Sequence, residues 1–137
     1  TRLQGDWSSD VCSSDLGNGV FSNCFTSSTI NVTAPGDISD VGGFAGSEVG
    51  AAGSTFTDTF ATGNMNINNG DDIGGFLGDN TTFAINLSNV YYTGTITVTG
   101  TATDIGGLLG RSTAQVTIDN SFFFGTATKK FKHRLSS

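Results

Sequence analysis

The chain has 137 residues, enough for one domain, and Gly, Thr, Ser and Asn make up almost half of it. Helix formers are scarce and no apolar run approaches ~18 residues, which excludes a helical bundle and a membrane-spanning helix. The formal net charge of −6 argues against nucleic acid as a partner.

Taken in chain order, the first segment stands apart. Residues 6–16, DWSSDVCSSDL, have neither helical nor strand periodicity. They resemble the translated product of a common sequencing-library adapter, and Gly5 is compatible with the bases that precede it. Residues 1–16 are therefore expected to be a non-native leader and are set aside from fold reasoning. Trp7 and Cys12 then carry no functional information, and Cys24 has no disulfide partner to expect. On this reading the chain is a fragment whose native start lay upstream of the junction.

From residue 17 the chain is organised by repetition. Asp40-Val-Gly-Gly-Phe-Ala-Gly46 recurs as Asp72-Ile-Gly-Gly-Phe-Leu-Gly78 and as Asp104-Ile-Gly-Gly-Leu-Leu-Gly110, each 32 residues on. A second block recurs every 31 residues: Phe56–Gly63, Leu87–Gly94 and Ile118–Gly125, with a partial copy at Phe21–Ser28. Short alternating segments, Ile30-Asn-Val32, Met65-Asn-Ile67 and Ile96-Thr-Val98, connect them and read as strands. The units run 17–28 (partial), 29–63, 64–94 and 95–125 within one repeat domain, 17–128. That domain carries nine acids against one base, Arg111. Residues 129–137 form a basic tail that breaks the repeat: unstructured, a cap remnant, or a second junction.

On these blocks the chain resembles the GLUG repeat, found in tandem in bacterial secreted and surface proteins, including adhesin-like haemagglutinins. Gly43-Phe-Ala-Gly46, Gly75-Phe-Leu-Gly78 and Gly107-Leu-Leu-Gly110 carry the resemblance, with N-x-[FY]-x-x-G at Asn89–Gly94 and Asn120–Gly125 and Asp58 replacing the first Asn. It covers roughly residues 20–125 and implies an extracellular or cell-surface context without catalytic residues. The implied role is an adhesive or interaction surface, or a stalk. Its partners would be a host glycan, a protein ligand, or neighbouring repeats of the same chain. No membrane insertion is expected of this segment.

A unit of this length with about three strands suits one coil of an all-β parallel β-solenoid, a right-handed β-helix of about three coils plus a partial N-terminal one. The expected inward ladders are Val41/Ile73/Ile105, Phe44/Phe76/Leu108, Phe56/Leu87/Ile118 and Phe60/Tyr91/Phe122. The motif glycines Gly42, Gly43, Gly46, Gly74, Gly75, Gly78, Gly106, Gly107 and Gly110 are expected at sharp corners with positive φ or close backbone approach. Asp58, Asn89 and Asn120 share the inward parity and would stack as a structural ladder. The alternative fold is a β-sandwich of repeated hairpins, which the Asn69-Gly70 pair leaves open.

Asp40, Asp72 and Asp104 would stack as carboxylates, with Asp71 and Asp37 nearby, and offer oxygen ligands for Ca²⁺. The usual calcium-loop spacing is absent, however, and Asp also suits turns. No metal or other cofactor is expected. A polysaccharide-acting β-helix enzyme is the alternative function, but Arg111 is the one cation to hold an acidic glycan, and no catalytic residue is expected. Cys24 has no His beside it in sequence to act as a base. The run Thr95, Thr97, Thr99, Thr101, Thr103 suggests a flat ice-binding face, yet Asn31/Thr33 and Asn66/Asn68 do not continue it. With both ends open, the isolated chain is expected to self-associate.

Overall fold

The computed structural model describes residues 19–33, 38–47 and 53–130. The leader, Pro35, Asp37, His133 and the rest of the tail after Lys130 lie outside the described residues. The described residues form eighteen short strands and no helix.

The strands fall into five ladders. β1 (Val20–Ser22), β6 (Thr55–Thr57), β11 (Ile85–Ser88) and β16 (Val116–Asp119) form the first. β2 (Phe25–Thr26), β7 (Phe60–Ala61), β12 (Tyr91–Tyr92) and β17 (Phe122–Phe123) form the second. β3 (Ile30–Val32), β8 (Met65–Ile67), β13 (Thr95–Val98) and β18 (Thr126–Lys129) form the third. β4 (Val41–Gly42), β9 (Ile73–Gly74) and β14 (Ile105–Gly106) form the fourth. β5 (Ala45–Ser47), β10 (Leu77–Asn80) and β15 (Leu109–Ser112) complete the set. Every pairing is parallel, and each strand pairs with the one five places later.

This is a parallel β-solenoid of three five-strand coils, with β16–β18 opening a fourth. It excludes the hairpin sandwich, which needs antiparallel neighbours. Even Asn69-Gly70 makes no hairpin: Gly70 bridges in parallel to Ala102 of the next coil. Each coil holds five strands where the sequence pattern suggested about three, because two-residue strands such as β4 and β7 leave no alternation to read. The repeat also continues past Gly125. β18 pairs along β13 with Val98 opposite Lys129, whose ammonium donates to the Ala102 carbonyl at 2.8 Å.

The register follows the repeat. Val41, Ile73 and Ile105 align, as do Phe56, Leu87 and Ile118. Phe44 and Phe76 stack with ring centroids 4.9 Å apart, and Phe56 meets Phe76 edge-on at 5.3 Å. Phe56, Met65, Ile73, Phe76, Leu77, Ile85, Tyr92 and Ile96 are fully buried. At ~25 cal/mol per Å², such columns are how a Gly- and Thr-rich chain gathers a core.

Candidate functional site

Positive φ belongs to Asp and Asn here, not to glycine. Asn23, Asp58, Asn89 and Asn120 sit at φ 46° to 55°, and Asp40, Asp72 and Asp104 at φ 46° to 59°; no described glycine does. Asp and Asn tolerate the left-handed region because their short polar side chains bond locally. The motif glycines serve close approach instead. A β-carbon at Gly42, Gly74 or Gly106 would overlap the carbonyl oxygen of Ala45, Leu77 or Leu109, so the chain can turn back on itself between β4 and β5 and their counterparts. A β-carbon at Gly78 or Gly110 would strike the backbone of Asp40–Val41 or Asp72–Ile73. A side chain at Gly75 would strike the ring of Tyr92, whose hydroxyl donates to the Gly63 carbonyl at 2.7 Å. Burial pushes that phenol up to about 12.

The left-handed corner after β1, β6, β11 and β16 resets the alternation that follows it. Asp58, Asn89 and Asn120 are exposed, not inward, and still form a ladder: Asn89 Nδ2 donates to Asp58 Oδ1 at 2.9 Å. The aromatic column is displaced with them. Phe25, Phe60, Tyr91 and Phe122 stack in register on the outer side, with centroids 5.3, 4.6 and 5.3 Å apart and planes within 12°. The inward places go to Ala61, Tyr92 and Phe123.

The result is a continuous outward face. Asn23, Asp58, Asn89 and Asn120 border a strip of ring edges, and the two columns line an open groove of about 450 Å³. Because each ring covers its neighbour's face, the strip offers apolar edges beside carbonyl and amide groups. A smaller groove of about 290 Å³ runs along Asn66, Asn68, Thr97 and Thr99, where Asn66 Nδ2 donates to Asn31 Oδ1 at 2.9 Å. Thr99, Thr101 and Thr103 hydroxyls donate to Asn68, Asn69 and Asp71 of the coil below. Cys24 is half-buried, and its thiol donates to the Ser22 carbonyl at 3.4 Å.

Asp40, Asp72 and Asp104 take equivalent corners of successive coils, and a fourth acid, Asp79, joins the first two. Asp40 and Asp72 come together with Asp79, one oxygen from each lying within 4.8 Å of the others, and Asp104 is outside this group. Asp72 is 8% and Asp79 7% exposed. Arg111 Nη1 lies 3.8 Å from Asp72 Oδ2. Burial raises the Asp40 and Asp72 carboxyls above their ordinary value, the Asp79 charge raises them further, and Arg111 pulls them back. Asp79 lies outside the repeated motif and does not stand out in the sequence; its signal is that the residue after each motif's last glycine varies as Ser47, Asp79 and Arg111. Comparison with family models, with curated proteins and with solved structures finds no match to this chain.

Proposed function

We propose that the chain is a non-catalytic repeat module of a bacterial extracellular or cell-surface protein, and that its outward aromatic and amide face is the interaction surface. The observation that carries this reading is the unbroken run of Phe25, Phe60, Tyr91 and Phe122 beside Asn23, Asp58, Asn89 and Asn120. An apolar strip bordered by hydrogen-bonding groups suits a ligand with both characters, such as a glycan or an extended peptide. The bacterial and extracellular setting rests on the resemblance to GLUG repeats.

The test is the full chain on a glycan array, followed by host extracellular-matrix proteins on a biosensor. Binding is expected, weakened about tenfold by Tyr91→Ala through loss of one aromatic contact, with the circular dichroism spectrum unchanged. Absence of binding to every probe leaves the module a stalk. Binding that Tyr91→Ala does not alter moves the interaction to another face.

A further inference from the structure

A second site lies away from the outward face, at the junction of the first two coils. Asp40 and Asp72 occupy left-handed corners stacked one coil apart, φ 59° and 50°, so backbone pairing fixes their separation. The residue that follows Gly78, Asp79, packs beside them from β10.

The next junction shows what such a corner takes. Arg111 is the register partner of Asp79 on β15 and places its guanidinium 3.8 Å from Asp72, the corner of the coil before it. One coil earlier the same relation sets Asp79 against Asp40. There a carboxylate stands where the next coil has a cation, and three acids meet. Asp79 is more than nine-tenths buried; Thr81 Oγ1 donates to its Oδ2 at 3.0 Å, and among the described residues its Oδ1 has no hydrogen-bond donor. A buried carboxylate oxygen without a donor is costly.

We propose that Asp40, Asp72 and Asp79 bind one divalent cation of calcium size, which takes at this junction the place Arg111 takes at the next. The ligands are all oxygen, as Ca²⁺ prefers. The three oxygens lie within 4.8 Å of one another, close enough to share one coordination shell with Ca–O bonds of ~2.4 Å. Mg²⁺ demands near-ideal octahedral geometry and gives up its waters reluctantly, so a cluster of three carboxylates suits it less. Together with Arg111 the cation balances three negative charges that one half-exposed guanidinium cannot balance alone, and it ties two coils together.

The experiment is calorimetric titration of the full chain with CaCl2 and with MgCl2 at neutral pH, alongside thermal melting in chelator or in Ca²⁺. The expected result is one Ca²⁺ per chain, weaker heat with Mg²⁺, and a melting temperature several degrees higher in Ca²⁺. Asp79→Asn, nearly isosteric, should weaken Ca²⁺ binding at least tenfold and remove the melting shift. It should also melt at or above wild type in chelator, because it removes like-charge repulsion. If Asp79→Asn does not fold, Asp40→Asn, at a corner of the kind Asn89 already fills, makes the same test. No heat and no melting shift in wild type overturn the proposal, as does Ca²⁺ binding of wild-type strength in the variant.

Discussion

Single residues set the corners of this coil, and two kinds divide the work. Asp and Asn accept the left-handed backbone at Asp40, Asp58, Asp72, Asn89, Asp104 and Asn120, where a β-branched residue would be strained. Glycine removes the β-carbon where one strand crosses another, as at Gly74 over the Leu77 carbonyl. Tyr92 shows a third role, a large side chain sealed in the core with its one polar atom bonded to Gly63. Its titration gives a signed prediction. Burial lifts the folded phenol from 10.0 to about 12, so between those values the folded chain keeps a proton that the unfolded chain releases. The Tyr92 contribution is complete below the unfolded value and is lost as pH rises through the folded one. The urea midpoint should therefore fall as pH rises from about 10 to about 12, and Tyr92→Phe should flatten that fall. An equally steep fall in the variant would show that Tyr92 is not its source.

At the scale of the strand, the ladders that follow plain alternation were legible in the sequence, and those beyond a corner were not. Val41/Ile73/Ile105 and Phe56/Leu87/Ile118 align as the repeat spacing requires. Counting on from Phe56 in twos also places Phe60 inside, yet Ala61 is the buried residue. The left-handed Asp58 between β6 and β7 rotates the chain, and alternation holds only along one continuous strand. The substitution costs should follow the observed sides. Phe56→Ala, in the closed core, is expected to cost about 3–5 kcal/mol. Phe60→Ala, in the outer stack, should cost about 1 kcal/mol from lost ring contact. Chemical denaturation of both variants checks this; equal costs would place Phe60 in the core.

At the scale of the whole molecule, the core is closed in the middle and open toward its ends. Phe56, Ile73, Phe76 and Ile85 are fully buried, whereas Ile118, the register partner of buried Leu87, is 51% exposed on the last described coil. Phe21, the register partner of buried Phe56, is only partly buried on the first. The two edges are complementary because they are copies of one repeat: the Phe122 column ends where a Phe25 would continue it, and Asn120 where an Asn23 would. A head-to-tail contact of this kind does not close on itself. Sedimentation velocity should therefore show mass growing with protein concentration, and Ile118→Lys with Phe124→Lys should reduce it. A wild-type chain that stays monomeric at all concentrations would mean that these edges are covered.

The sequence by itself determined the all-β class, the 31–32-residue period and which residues stack on which, because a parallel ladder pairs equal places in successive repeats. It carried the Asp40 and Asp72 corners for the same reason. Only the tertiary structure decided which side of the wall each column faces, since that depends on left-handed corners that break the period of two. Only it brought Asp79 to those corners, because the turn back from β9 to β10 is set by glycines whose missing β-carbons let the backbone fold onto itself. And only it showed that the aromatic column lies outside, where ring edges and amides meet solvent.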